Sequence, residues 1–89
     1  MVKENDKKVA MMIAASKALE YKKQNPSAII EEVMQHIINS INVERDAKIA
    51  AIASANKAIK YKEQAMKDKE IMQKIMNESD QILREIEAE

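Results

Sequence analysis

The stretch KALEYKKQ at residues 17–24 returns 40 positions later as KAIKYKEQ at residues 57–64. The similarity at this spacing extends over residues 4–24 and 44–64. Self-similarity at a fixed period of this length is typical of repeated helical units. The chain therefore contains two copies of one helical unit of about 40 residues.

Beyond the tyrosines the similarity resumes at a spacing of 38, where EVMQ at residues 32–35 corresponds to EIMQ at residues 70–73. We therefore define the internal repeat as residues 4–39 and 44–77. With 89 residues the chain has the size of one domain, near the lower limit for a self-sufficient core. The sequence predicts a single helical domain over residues 1–89, built from a duplicated helical hairpin.

The amino-acid composition excludes most other fold classes. Apolar residues make up 46% and charged residues 34% of the chain, which is typical of globular or coiled-coil proteins and not of disordered ones. Glycine is absent, so turns that need a positive φ are not expected and a hairpin-rich β fold is nearly excluded. The composition predicts an all-α protein, a small helical bundle.

Apolar periodicity and helix-ending residues predict four helices. Their predicted bounds are about 4–24, 27–41, 44–65 and 68–87. Asn25 is a good N-cap for the second helix, with Pro26 at its first position. Asn42 or Ser40 is expected to cap the third helix.

Helices 1 and 3 each carry two candidate contact lines. One is an aliphatic stripe, formed by Val9, Met12, Ile13, Ser16 and Leu19 in helix 1 and by Ile49, Ile52, Asn56, Ile59 and Met66 in helix 3. We expect this stripe to be an apolar packing face in which Ser16 and Asn56 fix the helix register. The other is a small-residue line edged by lysines, formed by Lys8, Met11, Ala15, Ala18 and Lys22 and their counterparts 40 positions on. Small residues let helix backbones approach closely, so we expect this line to pack against a neighbouring helix.

The junction between helices 3 and 4 leaves two arrangements open, because the apolar face rotates between Met66 and Ile71. A break near Met66–Asp68, with Asp68 as a cap, gives a compact four-helix bundle. A continuous helix from Glu44 to Ala88 gives a rod of roughly 65–70 Å. The rod is slightly favoured, because the second copy lacks two residues here and has helix formers where the first copy has its proline. A rod needs a second copy to cover it, which predicts an intertwined or swapped homodimer.

Charge alternates along the chain although its total is zero. The net charge is +3 over residues 1–24, −2 over residues 25–42, +2 over residues 43–66 and −3 over residues 67–89. Oppositely charged neighbouring helices attract each other, so complementarity within the fold is the preferred interpretation. A basic face for an anionic partner is the alternative.

No motif indicates catalysis or a cofactor. The absence of cysteine excludes disulfides, thiolate metal sites and cysteine nucleophiles. Phosphate-binding loops, nucleophile elbows and zinc spacings are absent from the sequence as well. His36, the only histidine, is interpreted as structural, since Glu32 is its only obvious companion as a metal ligand. We expect no enzyme activity, no cofactor and no metal.

The apolar runs are too short for a membrane span, and the polar N-terminal segment lacks a signal-peptide pattern. We therefore expect a cytoplasmic protein. The leading hypothesis is a non-enzymatic interaction or scaffold module that self-associates, as a dimer, and binds a partner protein helix. The alternative is a regulator that binds an anionic partner through the lysines of helices 1 and 3. An acidic protein fits that alternative better than nucleic acid does, because the domain is neither strongly basic nor rich in aromatic residues.

Tyr21 and Tyr61 are the only aromatic residues, and both fall in the pattern Tyr-Lys-x-Gln. They either cover one end of the bundle or form one recognition point per copy; the structural interpretation is preferred. The candidate partner contacts are Lys17, Tyr21, Lys22, Lys57, Tyr61 and Lys62.

Overall fold

The computed structural model describes residues 4–87, with side chains from Asp6 onward. This part of the chain forms four helices and contains no strand: α1 (Glu4–Gln24), α2 (Ile30–Ser40), α3 (Arg45–Glu63) and α4 (Asp68–Glu87). They form a small bundle with extents of 37 × 25 × 20 Å. The all-α prediction is confirmed. No helix within residues 4–87 is long and apolar enough to cross a membrane.

The centre of the bundle is formed by α1 and α3, which run parallel. Lys7 near the start of α1 and Asp46 in the first turn of α3 border the same depression as Glu87 at the end of α4. The helix α4 is therefore antiparallel to both. The two central helices pack through the small-residue line, whose buried members are completely inaccessible: Met11, Ala15, Ala18, Ala51, Ala55 and Ala58. The prediction that this line packs against a neighbouring helix is confirmed.

A buried hydroxyl joins the two central backbones. Ser54 Oγ lies 2.8 Å from the carbonyl oxygen of Met11 and 3.0 Å from that of Ala51, so it can donate to either. Its counterpart in α1 is Ala14, which is equally buried. Small side chains at both positions leave room for this close approach.

The helices α2 and α4 flank the central pair and do not contact each other. In α1, the residues that share clusters with α4 are Met11, Ala15 and Leu19. Their counterparts 40 positions on in α3 share a cluster with α2: Ala51, Ala55 and Ile59. The flanking helices bury matching residues as well, Val33 and Ile37 in α2 and Ile71 and Ile75 in α4. The duplication remains an interpretation of the sequence, and the equivalent positions have equivalent neighbours, as it requires.

The prediction that the aliphatic stripe is a packing face is wrong for its N-terminal end. Val9 and Ile13 are 52% and 47% exposed, and Ile49 is 43% exposed. Ser16 is exposed too, so it does not fix a register. Asn56 is half-buried, and its side-chain oxygen has no hydrogen-bond partner among the described residues. The physical reason is that the alanine-lined contact between α1 and α3 turns the bulkier stripe away from the centre.

The loop after α1 differs from its prediction. Pro26 lies in a turn closed by a 2.9 Å bond from the amide of Ala28 to the carbonyl of Asn25, and α2 begins only at Ile30. The Asn25 side chain donates to the carbonyl of Tyr21, so it closes the end of α1 instead of capping α2. Burial of Ala28 holds the loop inward and delays the start of the helix.

The expected cap of α3 is also wrong. Its N-cap is Glu44, without a side-chain hydrogen bond. Ser40 instead donates back to the carbonyl of His36 in the last turn of α2, and Asn42 is exposed. Serine commonly bonds to a carbonyl four residues earlier, which competes with a capping role.

The prediction of one continuous helix from Glu44 to Ala88 is wrong, because α3 ends in a Schellman turn. The amide of Met66 donates to the carbonyl of Tyr61 at 3.3 Å, and the amide of Ala65 to that of Lys62 at 3.0 Å. Ala65 has a φ of 65°, so the expectation that this glycine-free chain avoids positive φ is wrong as well. A left-handed residue with a Cβ costs about 1 kcal/mol, which the burial of α4 outweighs. The compact arrangement is confirmed. The dimer was predicted because a continuous helix would need a second copy to cover it, and this argument no longer applies.

Ion pairs attach α4 to the central helices. Each joins a lysine of α1 or α3 to an acidic residue of α4: Lys7–Glu87, Lys8–Asp80, Lys57–Glu78 and Lys62–Asp68. Lys8 holds the pKa of the Asp80 carboxyl below its ordinary value, through a hydrogen bond and through its charge. The complementarity expected from the alternating charge is confirmed for α4.

Candidate interaction site

The Tyr61 hydroxyl faces α4 and is satisfied there. It donates to Glu78 Oε1 at 2.6 Å, and Lys57 Nζ lies 3.7 Å from the same oxygen. Residues four apart on a helix are neighbours, so Lys57 and Tyr61 meet one carboxylate from the same side. Lys74 Nζ lies 5.4 Å from the centre of the Tyr61 ring, a cation–π contact.

This environment raises the pKa of Tyr61 to about 12. Burial is the largest cause, followed by the hydrogen bond to Glu78 and the charge of that carboxylate. Ionised tyrosine would face the Glu78 carboxylate with a second negative charge. The hydroxyl therefore stays a proton donor throughout the physiological pH range.

Tyr21 occupies the equivalent position in α1. Its ring stacks on His36, with ring centroids 4.3 Å apart and an angle of 20° between the planes. His36 precedes Lys74 by the repeat spacing of 38, so corresponding residues cover both tyrosine rings. The structural role predicted for His36 is thus supported by a contact. Among residues 6–87, no group of three or more His, Cys, Asp or Glu side chains could hold a metal ion.

The Tyr21 site lacks a counterpart of the Glu78 carboxylate. The counterpart of Glu78 is Ser40, whose hydroxyl bonds to the backbone of its own helix. Among the described residues, neither Lys17 nor the Tyr21 hydroxyl has an ion-pair or hydrogen-bond partner. An open cavity of about 300 Å³ lies at this point, lined by Lys17, Glu20, Tyr21, Gln24, Asn25 and His36.

A ridge leads from this cavity along the outer side of α1. Its members are spaced by four residues and therefore follow one another on the helix surface. We call this the α1 ridge: Val9, Ile13, Lys17 and Tyr21. The corresponding α3 ridge consists of Ile49, Ala53, Lys57 and Tyr61.

The end of α4 covers part of the α3 ridge and leaves Ile49 43% exposed. Beyond Glu78, Ala53 packs against the cluster that contains Ile82 and Leu83. Ile49 borders a depression together with Leu83 and Ile86. The covering residues therefore follow the Glu78 carboxylate by four, five and eight positions.

The α1 ridge has no such cover because α2 is short. The helix α2 has 11 residues and ends at Ser40, the counterpart of Glu78, whereas α4 has 20 residues and continues to Glu87. Val9 and Ile13 consequently stay about half exposed. The two halves of the molecule thus present corresponding ridges, one partly covered by α4 and the other without such cover.

The predicted contact residues separate into two groups. Lys57, Tyr61 and Lys62 contact acidic residues of α4, and Lys22 donates to the carbonyls of Pro26 and Ala28. Lys17 and Tyr21 are left without a polar partner among the described residues. The structure brings these two together in one cavity.

Sequence reasoning missed Val9 and Ile13 as surface residues. The available signal was that they continue the spacing of Lys17 and Tyr21 towards the N-terminus. Comparison of the chain with protein-family models, with curated proteins and with solved structures found no match, so its function is argued from this site alone.

Proposed function

We propose that the protein is a non-enzymatic helical interaction module and that its α1 ridge binds an amphipathic helix of a partner protein. One observation carries this proposal. The last turns of α4 pack against the α3 ridge at Ala53, whereas the α1 ridge leaves Ile13 47% exposed at the equivalent position; Val9 and its counterpart Ile49 are exposed to similar degrees, 52% and 43%. Binding of an amphipathic helix along an apolar surface is a common mode of protein recognition.

The covering segment of α4 indicates the chemistry of the partner. It presents a carboxylate at Glu78 and aliphatic side chains at Ile82, Leu83 and Ile86 on one side of a helix. A partner helix of this pattern would lie beyond the end of α2, with its aliphatic residues on Val9 and Ile13. Its N-terminal end would meet Lys17, where the unpaired positive charge attracts acidic residues.

The second function predicted from the sequence, binding of an anionic partner, is retained only in part. Four lysines of α1 and α3 pair with acidic residues of α4. Charge that is already neutralised contributes little to binding a polyanion. The proposal therefore names an acidic protein helix as the partner, and keeps the cytoplasm as its expected location.

The test uses the α4 segment as a surrogate partner. A capped synthetic peptide of residues 77–87, NESDQILREIE, is titrated to millimolar concentration into the isotope-labelled full chain and followed by NMR. Short isolated helices are marginal in water, so weak but saturable binding is expected. The methyl signals of Val9 and Ile13 should shift, and Ile13→Ser should abolish the shifts. A chain whose ridge signals do not respond would contradict the proposal.

A matched control and a second measurement complete this test. Ile29→Ser removes an exposed aliphatic side chain outside the ridge and should leave binding unchanged. Light scattering over a concentration series tests the predicted self-association. A dimer that Ile13→Ser dissociates would make a second copy the occupant in place of a different protein.

A further inference from the structure

We propose that Lys17 and Tyr21 form a binding site for a single carboxylate, supplied by a glutamate or aspartate side chain of the partner helix. The inference rests on the proposed function and deepens it. It names the polar contact that fixes where the partner helix lies along the α1 ridge.

The α3 half of the molecule shows this site in its filled state. Lys57 and Tyr61, the counterparts of Lys17 and Tyr21, hold the Glu78 carboxylate at 3.7 Å and 2.6 Å. The residues covering the rings correspond as well, His36 at one site and Lys74 at the other. The acceptor is missing at the Tyr21 site, because Ser40 stands at its place, and Glu20 stands where the other site has Lys60. The lysine and tyrosine donors have the same helical spacing at both sites, so the Tyr21 site is also suited to bind a carboxylate.

The chemistry of the cavity favours one carboxylate. An ammonium and a phenol hydroxyl both donate, and neither is engaged by a described residue. Charge-assisted bonds of this kind are stronger than bonds between neutral groups. Glu20 also lines the cavity without an ion pair to Lys17, and its negative charge opposes the entry of further anions. A carboxylate carried by a docked helix overcomes this because the ridge contacts hold it in place.

In the first experiment, a substitution in the chain itself supplies the carboxylate. Ser40→Glu places a carboxylate where Glu78 lies in the other half. A glutamate at the last residue of α2 is by itself unfavourable to the helix dipole, so a stability gain must come from a new partner. We expect the melting temperature to rise by roughly 4 °C relative to Ser40→Gln.

Lys17→Met shows whether that gain comes from the proposed pair. It keeps the aliphatic stem of the side chain and removes the charge. In the Lys17→Met background, Ser40→Glu should give the same melting temperature as Ser40→Gln. Equal effects of Ser40→Glu with and without Lys17 would overturn the site, whatever binds the ridge.

The second experiment asks whether a partner supplies the carboxylate. The peptide of residues 77–87 is compared with a version in which its glutamate at position 78 is glutamine. We expect the glutamine peptide to bind roughly tenfold more weakly, equivalent to the loss of one charge-assisted bond. Lys17→Met should equalise the two affinities, and Glu20→Gln should strengthen binding of the glutamate peptide.

The two proposals fail in different ways. Equal affinities of the two peptides for the unaltered chain, with shifts at Val9 and Ile13, would overturn the carboxylate site and leave the ridge as a docking surface. No shift with either peptide would overturn the proposed function, and with it the partner helix as the source of the carboxylate.

Discussion

The two tyrosine sites share an equivalent lysine and tyrosine and differ in the residues around them. At Tyr61 a lysine, a tyrosine and a glutamate close on one another, and an aliphatic helix end seals the surface next to them. At Tyr21 the lysine and tyrosine stand open beside exposed aliphatic residues. The difference follows from residue identity and helix length, since Ser40 stands where α4 has Glu78 and α2 ends there. A contact that is internal in one half is thus not made in the other.

The largest effects are expected where the two halves are alike. Ile37 in α2 and Ile75 in α4 are both completely buried. Truncation of a buried isoleucine to alanine costs about 2–5 kcal/mol, so Ile37→Ala and Ile75→Ala should each remove much of the stability of the domain. Urea unfolding followed by circular dichroism measures both losses.

An exposed neighbour provides the control for this pair. Met76 is 55% exposed and adjoins Ile75, so Met76→Ala should change the free energy of unfolding by less than about 0.5 kcal/mol. A loss well below about 2 kcal/mol for Ile37→Ala alone would show that α2 is held less firmly than α4 and would break the equivalence of the halves.

The next effect separates the two tyrosines directly. Tyr61→Phe removes the donor to Glu78 and should cost about 1 kcal/mol, a value reduced by the partial exposure of the pair. Tyr21→Phe removes a hydroxyl with no described partner and should cost less than about 0.5 kcal/mol. Chemical denaturation of both variants provides the comparison. Equal losses would mean that the Tyr21 hydroxyl already has a partner in the free protein.

A pH titration of the Tyr61 hydroxyl tests the environment that distinguishes it from Tyr21. The pKa of Tyr61 is raised from 10.0 to about 12, so its folded state holds the proton more tightly than the unfolded state does. The resulting stability is fully present below pH 10 and is lost as the pH rises through 12. In Tyr21→Phe, phenolate absorbance should therefore report a single tyrosine that ionises near pH 12. Adding Glu78→Gln should lower that pKa, and an unchanged value would show that burial alone sets it.

The smallest effect concerns the turns that end the two long helices. The first turn contains Pro26, and the second places Ala65 at a φ of 65°. Glycine adopts this conformation without a steric penalty, so Ala65→Gly should stabilise the protein by up to about 1 kcal/mol. Thermal unfolding measures the gain. Ala53→Gly, inside α3, should have the opposite sign at a similar magnitude of about 1 kcal/mol. A destabilised Ala65→Gly would contradict the assigned turn.

Local patterns in the sequence were sufficient for several features. The C-terminal end of α1 and the start of α4 agree with their predictions, whereas the predicted start of α1 and end of α4 fall at the limits of the described residues. The small-residue line was identified because alanines at helical spacing identify a close helix contact without knowledge of the partner. The alternating charge predicted the attraction between α4 and the central helices. The candidate contacts Lys17 and Tyr21 were also on the predicted surface, although nothing in the sequence ranked them above Lys57 and Tyr61.

Other features could not be predicted from local patterns because they depend on neighbours distant in sequence. Periodicity offered two packing faces on α1, and only the placement of α2, α3 and α4 around it left Val9 and Ile13 outside. Ala65 accepts a left-handed conformation because the burial of α4 outweighs the local cost.

The sequence by itself determined an all-α fold, the complementary charges of its helices and two equivalent pairs of lysine and tyrosine, and it left open whether helices 3 and 4 are separate. The tertiary structure alone decided which pair is satisfied internally, because that depends on how far the flanking helix extends along the ridge. Helix propensity and apolar spacing act over a few residues, whereas the cover of a surface is set by contacts across the whole fold. The bare α1 ridge is a consequence of that non-local arrangement.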